Sequence, residues 1–221
     1  MTKRALTGVI MASGEGSRMS YMRALTGLPK HLLPIGSSTP VSRIAKELSV
    51  FCEEVLCIVP LGLKSVFYEE FKRRELDVKV YEKEERGFRG DFIKACEKAN
   101  FSNIILTVGD IVFPDGEISS FIERAEDTPD KIVIALDRRR LRILKLPTIL
   151  DFRMVLASVP KDLLFEYRNI NPESILSMFN IILRFITKNR IRFLLSNVLF
   201  NINTPSEYYR AKHHLQGCHE R

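Results

Sequence analysis

The 221-residue chain carries four cysteines, Cys52, Cys57, Cys96 and Cys218. None forms a Cys-x-x-Cys pair, and their spacing matches no zinc-binding pattern. Cys52, Cys57 and Cys96 sit in apolar surroundings and read as reduced core thiols, which suits a cytoplasmic protein. No run reaches the roughly 18 apolar residues of a membrane span. Lys3-Arg4 precede an apolar run that meets Glu15 and Arg18 too soon for a signal peptide. Internal repeats and low-complexity tracts are also missing. A metal-knotted, membrane-spanning or repeat architecture is therefore not expected.

What is present is an ordinary globular balance, 45% hydrophobic and 28% charged residues, with a formal net charge of +7. The length fits one α/β domain, or one with a small appendage. A basic surplus favours anionic partners such as nucleotides, sugar phosphates, nucleic acid or acidic membrane, or it serves solubility alone. The basic residues are not interleaved with aromatics and form no known nucleic-acid module, which argues against RNA or DNA. No Ser/His/Asp or Cys/His arrangement is readable around His31, and His213-His214 reads as an exposed helix face.

Along the chain, strands are expected at 5–12, 54–59, 78–81, 103–108 and 131–136. Helical spacing of apolar residues falls at 41–51, 63–74, 92–99 and 119–125. Over 63–74 the residues Val66, Phe67 and Phe71 are expected to share the buried side. This alternation predicts an α/β fold, a Rossmann-like three-layer α/β/α sandwich with a mainly parallel mixed sheet. After Asp137 the pattern weakens. Arg138-Arg139-Arg140-Leu141-Arg142 reads as a solvated loop or edge strand, or as a contact for an anionic acceptor. Further on, strands are expected at 153–159, 192–195 and 198–201, with a helix over 173–188. Thr204-Pro205-Ser206-Glu207 predicts a capped final helix with a capping box.

In open parallel sheets ligands bind at the carboxyl ends of the strands. The first strand runs through Ala12 into Ser13-Gly14-Glu15-Gly16-Ser17, with Arg18 next and Lys30 inside Leu28-Pro29-Lys30-His31-Leu32-Leu33-Pro34. Backbone bare of side chains brings N–H groups close to an anion, and nearby cations suit phosphate oxygens. The dinucleotide fingerprint is excluded because Met19 stands where its third glycine belongs. A P-loop is excluded because the segment has no Gly-Lys-Ser/Thr. Asp110 follows the apolar strand 103–108 through Gly109, where its carboxylate could hold a hard cation or merely cap a turn. Asn201 precedes the Thr204 cap, and the cap does not account for it.

Three stretches resemble the nucleoside-triphosphate transferase superfamily, in particular the sugar-1-phosphate nucleotidyltransferases. They are Gly14-x-Gly16-Ser17-Arg18, Pro29-Lys30-x-Leu32-Leu33-Pro34, and Asn201-Ile202-Asn203-Thr204-Pro205 late in the chain. The segment 19–24 is longer than the spacer usual there. The asparagine form of the last motif is similar to that of guanylyltransferases acting on molybdenum-cofactor or cobinamide phosphates.

The resemblance implies a nucleotide-diphospho-sugar transferase-like fold over 1–221, with 1–137 as the nucleotide-binding half and 138–221 as the acceptor-binding half and C-terminal helix. It implies transfer of a nucleoside monophosphate from a nucleoside triphosphate to a phosphorylated acceptor, with release of pyrophosphate. Arg18 and Lys30 would be catalytic. Ala12, Ser13, Gly14, Glu15, Gly16, Ser17 and Gly87 would bind the nucleotide, and Asp110 and Asn201 would hold Mg²⁺. A sugar 1-phosphate is the first acceptor. A guanylyltransferase for a cofactor phosphate and a non-catalytic nucleotide-binding regulator are the alternatives, and a homodimer stays open. The expected partners are small phosphorylated molecules, with no nucleic acid and no membrane.

Overall fold

The computed structural model describes residues 3–14, 16–83, 88–137, 154–162 and 190–216. The expectations for Glu15, Gly87, Arg138–Arg142, the helix over 173–188 and Cys218 lie outside the described residues. No described helix is long and apolar enough to cross a membrane.

β1 (Arg4–Met11) is buried on both faces from Leu6 onward, the pattern of a strand enclosed in a parallel sheet. It pairs in parallel with β2 (Cys52–Pro60) on one side and β4 (Asn103–Val108) on the other. β3 (Lys79–Lys83) adds to β2 in parallel. Beyond β5 (Ile111–Val112) come β6 (Ile132–Asp137), β7 (Met154–Pro160) and β8 (Ile191–Ser196), and the seven strands lie in the order β3-β2-β1-β4-β7-β6-β8. β7 is antiparallel to both β4 and β6, while β8 is parallel to β6. The sheet is thus mixed but mainly parallel, as the strand–helix alternation predicts.

Alternation along β1 sorts its side chains into two cores. Ile10 packs with α2 (Pro40–Phe51), α3 (Lys64–Arg73) and α5 (Glu117–Glu126) through Ile44, Leu48, Phe67, Phe71 and Phe121. Val9 and Met11 face the opposite layer, where α4 (Phe88–Lys98) contributes Ala95 and Cys96. These are the three layers. Cys52, Cys57 and Cys96 are buried, and burial pushes the Cys52 thiol up to about 12 and raises that of Cys57.

The structure departs from the expected pattern in three places. Val66 is exposed, and the inward side of α3 is Phe67, Glu70 and Phe71. Glu70 is tolerated there because Arg73, Arg74 and the Thr39 hydroxyl surround its carboxylate, which offsets the cost of burying a charge. The segment 19–24 is largely helical: α1 spans Ser20–Thr26, ending on Gly27 in the left-handed region. The helix expected over 92–99 begins earlier, at Phe88.

A two-stranded ribbon, β5 with β9 (Phe200–Asn201), stands apart from the main sheet. Under it a third cluster joins Met19, Met22, Leu33 and Ile35 to Val112, Ile202, Tyr208 and Ala211. The last two residues belong to α6 (Pro205–Gln216). Both ends of the described chain therefore share one small core.

Candidate active site

β1 ends at the sheet edge in Ser13 and Gly14. The chain then turns through Gly16, whose φ of 63° is the left-handed conformation that glycine adopts without strain. A 3₁₀ turn, Ser17–Met19, follows and buries Met19. The two glycines lie along the Lys30 side chain. A Cβ on Gly16 would stand 3.4 Å from Lys30 Cδ, and one on Gly14 would stand 3.9 Å from Lys30 Cε. Lys30, in the 3₁₀ turn Lys30–Leu32, therefore runs beneath the glycine turn.

Its ammonium group ends on Asp110 in a short ion pair, with only 9% of the lysine side chain and 15% of the aspartate exposed. A second N–H of Lys30 Nζ donates to Asn203 Oδ1 at 3.1 Å. The Asn203 amide nitrogen donates in turn to Asn201 Oδ1. Lys30, Asp110, Asn201 and Asn203 thus form one connected group.

Backbone pairing explains how residues so far apart in sequence meet. Gly109 N–H donates to Met11 O at 2.9 Å, so the ends of β1 and β4 lie side by side. A Cβ at Gly109 would stand 3.0 Å from Ala12 Cβ, closer than side-chain carbons ordinarily pack. One residue later, Asp110 O accepts from Ile202 N–H at 2.8 Å, and Ile111 is paired with Asn201. The ribbon fixes Asn201 beside Asp110 through main chain, independently of either side chain.

Asn203 is held from the far side by Glu207, whose carboxylate accepts from Asn203 N–H at 3.0 Å and from the Thr204 hydroxyl at 3.1 Å. Thr204 Oγ1 accepts from Glu207 N–H at 3.3 Å. The predicted capping box is therefore displaced by one residue. Thr204 caps, but the Glu207 carboxylate reaches back to Asn203 rather than to the cap's own N–H.

His31, beside Lys30, is buried with its Nδ1 unpartnered. Burial holds its pKa down at about 4, with Asp110 pulling it up and Lys30 pushing it further down. At neutral pH it is an uncharged packing group that tilts against Phe67.

On the other side of the turn, the Ser13 hydroxyl donates to Asp91 Oδ2 at 2.7 Å. Asp91 Oδ1 pairs with Lys83 Nζ at 3.0 Å, and both side chains are about 95% enclosed. Burial raises the Asp91 pKa, against the lowering effects of Ser13 and Lys83.

Of the residues singled out in the sequence, the structure gathers Ser13, Gly14, Gly16, Lys30, Asp110 and Asn201 at one edge. Ala12 lies fully buried behind the turn, its N–H donating to Ile58 O at 2.9 Å. Ser17 and Arg18 are exposed on the 3₁₀ turn, and Arg18 makes no ion pair among the described residues. Sequence reasoning placed Asn203 in a motif without a catalytic or metal-binding role, and gave Asp91 and Lys83 no role. The signal for Asn203 was its place two residues after Asn201. Asp91 and Lys83 sat in a charged stretch that looks solvated.

Asp110 and Asn201 offer one carboxylate and one amide oxygen. These are hard donors, and Mg²⁺ commonly takes one or two such protein oxygens and completes its shell with phosphate and water. The donor set fits such an ion. Among the described residues no group of three or more His, Cys, Asp and Glu side chains could hold a metal. A separate cavity of about 260 Å³, bordered by Ser49, Glu54, Leu76 and Lys79, lies at the amino-terminal end of β2, away from this group.

A glycine turn over a lysine, next to an oxygen-donor pair at the carboxyl edge of a mainly parallel sheet, defines an α/β nucleotide-handling protein. Residues 8–172 match the family model described as the MobA-like NTP transferase domain, and the chain belongs to that family. It is a nucleotidyltransferase of the MobA-like type. Among solved structures it resembles a candidate glucose-1-phosphate thymidylyltransferase from Bacillus anthracis, at 14% identity and a TM-score of 0.75, covering 96% of this chain and 95% of that one. It also resembles a nucleotidyl transferase from Methanothermobacter thermautotrophicus, at 20% identity, TM-score 0.72, and 96% and 98% coverage. The inositol-1-phosphate CTP transferase of T. maritima is similar at 15% identity, TM-score 0.71, and 97% and 98% coverage. These likenesses show the nucleotide-diphospho-sugar transferase fold. No curated protein sequence matches the chain.

Proposed function

We propose that this chain transfers a nucleoside monophosphate from a nucleoside triphosphate to a phosphorylated small molecule, with a sugar 1-phosphate as the first acceptor class. A phosphate oxygen of the acceptor attacks the α-phosphorus, the bond from that phosphorus to the bridging oxygen breaks, and pyrophosphate leaves. Such chemistry needs alignment and charge neutralisation more than a covalent intermediate. The observation that carries the reading is the position of Lys30, which runs under Gly14 and Gly16 to a terminus shared with Asp110 and Asn203.

In this reading the N–H groups of the Ser13–Ser17 turn cradle the triphosphate, with Arg18 on its outer phosphates. Lys30 faces the α-phosphate and the attacking oxygen. Asp110 and Asn201 would hold Mg²⁺, which when bound neutralises phosphate and leaving-group charge. Bound substrate offers Lys30 phosphate oxygens in place of the Asp110 carboxylate, so one lysine can serve both states. The 1–137 part binds nucleotide and the 138–221 part takes the acceptor. Buried, reduced cysteines support a cytoplasmic setting.

A second reading keeps the chemistry and changes the acceptor to a cofactor phosphate, with guanosine triphosphate as donor. The Asn201 and Asn203 amides and the MobA-like family match favour it. Pyrophosphate release, measured with Mg²⁺ over a panel of triphosphates crossed with sugar 1-phosphates and cofactor phosphates, tests both. Turnover with one pair identifies the acceptor class. Nucleotide binding with no turnover on any pair overturns the enzymatic reading and leaves a regulator.

A further inference from the structure

The glycine turn is pinned at both ends. Its exit is held by Met19, whose N–H donates to Gly16 O at 2.7 Å and whose side chain is buried. At its entrance, one residue past the main-chain bond from Ala12 N–H to Ile58 O, the Ser13 hydroxyl is held on Asp91. Asp91 lies in the first turn of α4 and Lys83 is the last residue of β3, so Ser13 is tied to two elements beyond β2. A carboxylate and an ammonium this enclosed are costly to bury, and a solvated surface pair would do as well for stability alone. Placing them against the one hydroxyl that begins the phosphate turn gives the pair a positional use.

We propose that Lys83 and Asp91 are positioning residues for nucleotide binding. Together they lock the Ser13 hydroxyl and so hold the N–H groups of the turn in the arrangement that accepts a polyphosphate. The ion pair fixes the Asp91 carboxylate, and Asp91 fixes Ser13. Ser13 sets where Gly14 leaves the sheet edge above Lys30. None of the three needs to touch the reacting atoms. Freeing Ser13 lets the turn sample other conformations, and binding then carries an ordering cost that the locked turn avoids. The effect therefore falls on nucleotide affinity, not on the chemical step.

This inference rests on the reading of the glycine turn as a triphosphate site, and the test separates the two. Inorganic tripolyphosphate is titrated into the full chain by calorimetry, alongside Ser13→Ala, Ser13→Thr and Asp91→Ala. Steady-state KM and kcat follow for whichever substrate pair turns over. Ser13→Ala and Asp91→Ala are expected to weaken tripolyphosphate binding by about the same factor, roughly tenfold, for loss of one charge-assisted hydrogen bond.

The Ser13→Ala/Asp91→Ala double variant should be no weaker than either single variant. Ser13→Thr, which keeps the hydroxyl, should recover most of the binding that Ser13→Ala loses. The nucleotide KM should rise in the two alanine variants while kcat and the acceptor KM stay put. If the parent chain binds neither tripolyphosphate nor any triphosphate, the triphosphate reading itself is overturned. If the parent binds and folded Ser13→Ala binds equally well, the lock is overturned. Weakening by Ser13→Ala alone, with folded Asp91→Ala unchanged, also overturns it, because the hydroxyl would then act on the ligand directly. Because Asp91→Ala strands Lys83 in the interior, Ser13→Ala carries the test should Asp91→Ala fail to fold.

Discussion

Lys30 is the residue on which the site converges, because it spends its polar contacts on both the carboxylate and the amide that face it. Lys30→Met keeps the length of the side chain and removes the charge. Loss of a preorganised cation facing developing phosphate charge is expected to lower kcat for pyrophosphate release by about 10²–10³-fold. Asp110→Asn should also lower turnover and raise the Mg²⁺ concentration needed for half-maximal rate; unchanged turnover would show that Asp110 holds no ion.

The neighbouring His31 makes a different prediction. Its folded pKa of about 4 lies below the ordinary 6.5, so the unfolded chain takes up a proton first as pH falls. Stability from this group is complete above pH 6.5 and is lost progressively down to about pH 4, by about 3 kcal/mol in all. Urea unfolding at pH 7 and pH 4.5 checks this. The drop between the two should shrink in His31→Leu, since the other titrating groups are common to both chains. Sequence alone exposed Lys30 through its proline-flanked motif. It could not expose the role of His31, because neutrality in the interior depends on burial and not on neighbours in the chain.

At the scale of elements, what was readable is what obeys a period. β1, β4, α2 and α5 carry long apolar patterns, and each stands within a few residues of its expected span. α1 escaped because seven residues with only Met22 buried give too little periodicity to see. α3 was placed, but Glu70 took the inward position expected of Val66, since a polar residue satisfied by two arginines and a threonine looks like surface in a sequence. The ribbon β5–β9 has two residues per strand, and its pairing depends on contacts between residues some ninety apart.

Two substitutions test the elements. Gly109→Ala places a methyl 3.0 Å from Ala12 and 3.2 Å from Val41. It should cost about 1–3 kcal/mol by overpacking and should lower activity by displacing Asp110. Thr39→Ala removes the hydroxyl that caps α2 and donates to Glu70 at 2.9 Å. It should cost about 1–2 kcal/mol in chemical denaturation and leave kcat alone, since α2 carries no site residue.

Across the whole molecule, the late chain completes what the early chain begins. Tyr208 hydroxyl donates to Pro34 O at 3.0 Å, and Ile202, Tyr208 and Ala211 cover Met19, Met22 and Leu33. Tyr208→Phe should therefore lower stability by about 1 kcal/mol, the usual net worth of one hydrogen bond, read as a shift in urea midpoint.

The reversed strand has a consequence for where the later junctions stand. β6 runs with β4, so Asp137 ends at the rim that carries Ser13 and Asp110, and β7 sets out from that same rim because it alone runs back. The residues that flank 138–153, Asp137 and Met154, thus both stand on the rim that carries the site. β7 finishes on the opposite rim, where Lys161 N–H meets Ser102 O, and β8 starts there. The end of β7 and the start of β8 thus both stand on the rim away from the site. One inverted strand thus gives the second half of the chain one junction on the rim that carries the site and one on the rim opposite.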